Sequence, residues 1–144
     1  MNLVIDRRLM EAYQNAEYIV FANIEFVMLV TEYSEALKDM MTERPFTQAA
    51  FISAYNPYSE MLDELENIKR HDALSKELCD LRLSFIEGLG RDKKGQWPDE
   101  KSVLVLNMSN AAARTIGNKY GQNAILWIEK DAVPQLLLLD EKKA

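Results

Sequence analysis

The chain has 144 residues, of which 48% are hydrophobic and 28% charged, with a net charge of −6; this length fits a single domain whose core needs no covalent staple. One cysteine excludes an intrachain disulfide and a thiolate zinc cluster. One histidine leaves too few ligands for a His-based metal site and argues against a Ser-His-Asp triad. The acidic balance disfavours nucleic acid, because phosphate contacts need a basic face and the nearest run, Arg91, Asp92, Lys93 and Lys94, already holds an acid.

The first residues lack the basic and apolar regions of a signal peptide. The longest apolar stretches, 18–22 and 133–139, fall far short of the ~20 residues that span a bilayer. Cytoplasmic residence without membrane attachment is the resulting expectation.

In chain order, Asp6 is placed to cap a first helix carrying Leu9, Tyr13 and Ala16 on one side. Residues 18–22 and 25–30 form β-rich runs around Asn23 and predict an antiparallel hairpin. Residues 34–44 predict a short helix with Leu37, Met40 and Met41 inward, stopped by Pro45. The run 48–55 is apolar on both faces, as an interior strand would be, and ends at Asn56 and Pro57.

Ser59 is then expected to cap a long helix to about Asp80, with Asp63 and Glu64 in its early turns. Its apolar positions fall on two stripes, Met61, Leu65 and Ile68 on one, and Leu74 and Leu78 with Asn67 and His71 on the other. That rotation predicts a bend near Asp72 or cover on two sides. Cys79 reads as a small buried hydrophobe. A strand over 82–87 leads into an irregular segment, 88–101, and a further strand over 102–106. A helix over 109–121, capped by Ser109 and closed by Gly121, directs Ala112, Ile116 and Tyr120 inward. Residues 123–128 and 135–139 predict a last hairpin around Asp131. The order αββαβαββαββ gives an α+β domain, a mixed and mainly antiparallel sheet flanked by about four helices.

Candidate site residues follow from this layout. Segment 88–101 exceeds the usual loop length and reads as a lid or binding loop. In it Trp97 either stacks on a flat ligand or pins the loop, and Glu100 is a candidate acid or base. Asn56 stands at a strand end, where α/β sheets keep ligands, or closes an Asx-type turn. Asn67, Arg70 and His71 form a structural network or a ligand clamp, with Glu66 and Arg70 also spaced as an i,i+4 pair. Gln122 and Asn123 either satisfy helical carbonyls or face a ligand, and Ser109 with Asn110 is a cap or an anion site. No phosphate-cradling GxGxxG, P-loop, nucleophile elbow or HExxH is present, so no cofactor and no metal are expected.

Four segments in series carry a resemblance. They are Ile52, Ser53, Ala54, Tyr55, Asn56 and Pro57; Glu66 and Asn67 with Arg70 and Leu74; Gly95, Gln96, Trp97, Pro98, Asp99 and Glu100; and Tyr120, Gly121, Gln122, Asn123 and Ala124. Over about 49–128 the chain resembles the bacterial family catalogued as domain of unknown function 3293, whose pattern runs T-A-x-N-P, E-N-x-x-R, W-x-E-E and F-G-Q-N-A. Ser53, Asp99 and Tyr120 are mild departures. His71 stands where a second asparagine often follows the arginine, which sets aside an amide role there. The resemblance supplies no reaction. It implies that Asn56, Asn67, Trp97, Glu100, Gln122 and Asn123 are related positions.

Three classes of function are compatible with these residues. One is a binding module whose polar cleft joins the Asn56 turn, the Trp97 loop and the Gln122–Asn123 corner around a small polar, planar or sugar-like ligand. Another is a hydrolase or transferase with Glu100 as general base and Arg70 or His71 as electrostatic partner. The last is a protein–protein interaction or acidic decoy protein, docking through its methionines, its acidic surface or an edge strand, through which a homodimer is also compatible.

Overall fold

The computed structural model describes residues 7–139. Its elements are α1 (Arg7–Asn15), β1 (Glu17–Val20), β2 (Phe26–Met28), α2 (Glu35–Glu43), β3 (Ala49–Ser53), a 3-10 turn (Pro57–Ser59), α3 (Glu64–Asp80), β4 (Phe85–Arg91), β5 (Glu100–Leu106), α4 (Asn110–Lys119), β6 (Ala124–Ile128) and β7 (Gln135–Leu138). This is the α+β order expected from the sequence. Asp6, expected as the first cap, lies outside the described residues.

The strands form one sheet in the order β2-β1-β4-β5-β3-β6-β7, antiparallel at every pairing. β3 is interior, as its apolar run implied, with β5 on one side and β6 on the other. Two crossovers interleave: β3–α3–β4 passes over β5, and β5–α4–β6 passes over β3. Strand alternation then divides the core. Ala49 and Phe51 join Leu37, Met40 and Met41 of α2 on one face, while Ala50 and Ile52 join Leu74, Leu78, Ala113 and Ile116 of α3 and α4 on the other. Met28 and Met108 also fill the core, so most of the methionines placed here do not make a docking patch.

Several boundaries differ from the sequence-based expectation. α3 starts at Glu64, where the Asp63 side chain accepts the Glu66 N–H at 2.8 Å. Ser59 cannot cap it, because Asn56, Tyr58 and Ser59 all take positive φ and no helix propagates through them. The helix needs neither a bend nor two-sided cover. Asn67, His71, Leu74 and Leu78 form its buried row, whereas Met61 and Leu65 are 54% and 74% exposed. Cys79 lies on the outward side and is exposed. Segment 88–101 is shorter as a loop than expected: β4 runs to Arg91 and β5 begins at Glu100, so only residues 92–99 connect the two strands. In α4 the fully buried positions are Ala113, Ile116 and Gly117, with Ala112 half-buried.

Gly88 shows how tightly β4 is pressed into the sheet. A Cβ there would lie 2.5 Å from the Ile19 carbonyl oxygen and 2.7 Å from Phe51 Cε1, whereas one on Gly90 would meet nothing within 3.9 Å. Gly88→Ala is therefore expected to lower the unfolding free energy by about 2 kcal/mol, and Gly90→Ala to change it by no more than about 0.5 kcal/mol. Urea denaturation of both variants checks this. Equal effects at the two positions would show that the close approach at Gly88 is not real.

Candidate functional site

Antiparallel pairing brings distant parts of the chain to one end of the sheet. Ser53 faces Ser102 across β3 and β5, Gly90 faces Glu100, and Glu17 faces Arg91. The end of β3 therefore meets the starts of β1, β5 and β6. Asn56 leaves β3 there, Glu100 opens β5, Asn123 precedes β6, and Asn67 sits in the first turns of α3.

Two buried amides organise this end. The Asn56 backbone N–H donates to Asn67 Oδ1 at 2.9 Å, and Asn67 Nδ2 donates back to Asn56 Oδ1 at 2.9 Å. Asn56 Oδ1 also accepts the Leu62 N–H at 2.9 Å, closing a turn longer than the Asx turn weighed from the sequence. The remaining Asn56 donor, Nδ2, reaches Glu100 Oε2 at 2.8 Å, and Trp97 Nε1 donates to the same oxygen at 2.7 Å. At 5% and 2% exposure, Asn56 and Asn67 work on the protein itself.

Arg70 and Gln122 also hold backbone. Arg70 Nε donates to Ala54 O at 2.7 Å and its Nη2 to Tyr120 O. Gln122 Nε2 donates to Tyr55 O at 3.0 Å and to Tyr120 O at 3.2 Å. Together they tie the end of β3 to the end of α4. The Tyr58 N–H completes the tie at Gly121 O, 2.7 Å away. Gly121 has φ +71°, and a Cβ on it would sit 2.7 Å from Pro57 Cβ, so only glycine fits this corner. No ion pair joins Arg70 to Glu66 among the described residues. His71 Nε2 lies 2.9 Å from Glu87 Oε1, with its ring edge-on to Tyr55. The expected pairing of Glu100 with Arg70 or His71 does not occur, because both side chains are turned to other partners. Ser109 is a plain cap on α4, and Asn110 Oδ1 accepts from Arg114 Nε at 2.9 Å.

The outer part of the site has a different character. Glu100 is half-buried, and burial pushes its carboxyl above the ordinary range, with the Asn56 and Trp97 hydrogen bonds opposing that shift. Both donors take Oε2. Oε1 accepts no hydrogen bond among the described residues, and it is not one of the sealed, unpartnered side-chain atoms, which are His71 Nδ1 and Ser75 Oγ. Burial likewise raises the Tyr13 hydroxyl, opposed by Ser59 and Asn123, with the Glu100 charge adding to the rise. Asn123 Nδ2 donates to Ser59 Oγ at 3.1 Å, and Tyr13 Oη lies 3.4 Å from the same oxygen. Tyr18 is also raised by burial, then by Tyr13 and Glu100, and its hydroxyl donates to Tyr13 O. The Trp97 ring remains 37% exposed beside the carboxylate.

Four contributors were not among the candidate site residues read from the sequence. Tyr13, Tyr18 and Ser59 are ordinary residues of a helix, a strand and a turn. Asp92 orders the Trp97 turn by accepting the N–H groups of Lys94, Gln96 and Trp97 at 3.2, 2.9 and 3.1 Å. An aspartate three residues before Gly95 is a recognisable turn pattern that would have found it. No group of three or more His, Cys, Asp or Glu among the described residues could hold a metal ion. No helix among them is long and apolar enough to cross a membrane.

The model of the family described as "Protein of unknown function (DUF3293)" matches residues 52–125. No curated protein and no solved structure matches the chain. The matched interval holds Asn56, Asn67, Arg70, Trp97, Glu100, Gln122 and Asn123, while Tyr13 and Tyr18 lie before it. Covering half of the chain and all four motifs, the match places this protein in the DUF3293 family of proteins of unknown function.

Proposed function

We propose that the chain is a binding module for a small polar ligand, seated against Glu100 and Trp97 at the Asn56 end of the sheet. One observation carries this reading: a half-buried carboxylate is held by two donors on one oxygen while its other oxygen is left open. A glutamine could accept the same two hydrogen bonds without the charge. The fold therefore does not require a carboxylate there, and a group kept at a cost to the fold points to function. Oε1 suits a ligand hydrogen-bond donor or positive charge, and the Trp97 face suits a flat or sugar-like body. Asn56, Asn67 and Gln122 support the site from behind. Asn123 and Tyr13 line its far side through Ser59.

A second reading uses the same atom. A carboxyl raised by burial is suited to general acid–base work, in a hydrolase or transferase with the Asn56 amide and the Trp97 indole as its partners. A docking protein is less well supported, since the core takes up Met28, Met40, Met41 and Met108. A homodimer would use β2 or β7, the two edges of the sheet. A partner other than nucleic acid accords with the acidic balance, and cytoplasmic residence is part of the same proposal.

Glu100→Gln tests the site without dismantling it. Because the folded state holds the Glu100 proton more tightly than the unfolded chain, this carboxyl weakens the fold as pH rises from its ordinary 4.5 through its raised value. The variant should match the wild type in acid and be at least as stable at pH 7.5, as read by urea denaturation at both pH values. A variant that loses stability selectively at pH 7.5 would make Glu100 a structural carboxylate.

A thermal-shift screen of nucleotides, sugars, amino acids and amines tests the ligand itself. A binder at about 100 times its Kd should raise the wild-type Tm by roughly 5–10 °C. It should leave Glu100→Gln and Trp97→Ala unshifted. No response in the wild type, or equal responses in all three proteins, would sink the proposal.

A further inference from the structure

The opposite end of the sheet holds a cavity of about 340 Å³. Its walls come from residues after α2 and α3, Arg44 and Phe46, Arg82 and Ser84, and from the end of β5, Leu106 and Asn107. No aspartate or glutamate lines it, in a chain whose net charge is −6. Neither guanidinium has an ion pair or a side-chain hydrogen bond among the described residues. The other arginines beyond α1 are all engaged, Arg70 with carbonyls, Arg91 with Glu17 and Arg114 with Asn110. Asn107 Oδ1 accepts the Thr47 N–H at 3.1 Å, which leaves its Nδ2 donors unused, and the Ser84 hydroxyl is unpaired as well. Phe46 and Leu106 supply an apolar floor, both buried.

The backbone adds a second indication. Arg82 occupies the position after the α3 cap, where its N–H bonds Cys79 O and the next N–H bonds Leu78 O. Glycine is the favoured residue in that motif, because φ is positive; here φ is 61° and the side chain is arginine. Asn107, across the cavity, has φ 59°. Offsetting the negative ends of α2 and α3 would account for a cation near each helix terminus. It does not require both to open onto one acid-free cavity with unpaired neutral donors beside them.

We propose that this cavity is a second binding site, for a small organic anion whose phosphate or carboxylate group is held by Arg44 and Arg82 and whose apolar part rests on Phe46 and Leu106. The Asn107 amide and the Ser84 hydroxyl add neutral donors. Oxyanions match the guanidinium fork, and such pairs are charge-assisted. The volume falls within the range of small-ligand sites.

Amide proton–nitrogen correlation spectra of the full chain, recorded at fixed ionic strength, test the proposal with phenyl phosphate and benzoate as probes. Saturable shifts confined to residues 44, 46, 82–84 and 106–107 are expected for at least one probe, and the tighter of the two identifies the oxyanion class. Arg82→Gly is the informative variant, since glycine suits the positive φ and the fold should keep or raise its Tm. It should weaken the tighter probe about tenfold. Shifts that never saturate or spread over the surface, or equal affinity in the wild type and Arg82→Gly, would overturn the site and leave the arginines as complements to the helix ends.

Discussion

The reciprocal bond between Asn56 and Asn67 is the constraint on which this end of the sheet depends. Three non-glycine residues in four, Asn56, Tyr58 and Ser59, hold a left-handed backbone. Each such residue costs about 1–3 kcal/mol and persists only where its surroundings over-determine it. The amide pair supplies that determination. Asn67 fills the Asn56 N–H, Asn56 Oδ1 fills the Leu62 N–H, and the chain is delivered to Asp63 in position to start α3. Breaking the pair would leave buried donors and acceptors unmet, at about 1–3 kcal/mol for each group.

A division of labour follows from the same bonds. Arg70, Asn56, Asn67 and Gln122 look functional as polar residues at a strand end, yet their donors are directed to the protein's own backbone and side chains. Glu100 differs, because its two donors converge on one oxygen. Buried amides thus act as a frame, and the carboxylate is what the frame presents. Burial raises the Tyr13 and Tyr18 hydroxyls, and the Glu100 charge adds the smallest part of each rise.

The order of elements was legible because hydrophobic period and caps are local signals: Ser109 caps α4 as its position implies, at 3.1 Å. The start of α3 was not legible. Ser59 has the chemistry of a cap, but a strained turn that only tertiary contacts stabilise gives it a different role, as a bridge between Asn123 and Tyr13. The Gly88–Lys101 segment misled for a related reason. Gly88, which reads as loop, serves here as close-packed strand, since Phe51 occupies the space a side chain there would need. Among the site residues, Asn56, Trp97 and Glu100 do converge. Arg70 and His71, adjacent in sequence to Asn67, turn to partners that no spacing rule identifies.

The interleaved crossovers bear on how such a chain is made. β3 lies between β5 and β6, yet both are synthesised after it, and α3 and β4 intervene before the first of them. An emerging β3 is an apolar segment with both backbone edges bare until much later sequence arrives. Pairings so distant along the chain close slowly and expose strand edges to other molecules meanwhile. The short length of β3 and the asparagine, proline and 3-10 turn that follow it limit how far a stray strand could extend along it. The same turn that frames the site thus also shields the nascent chain.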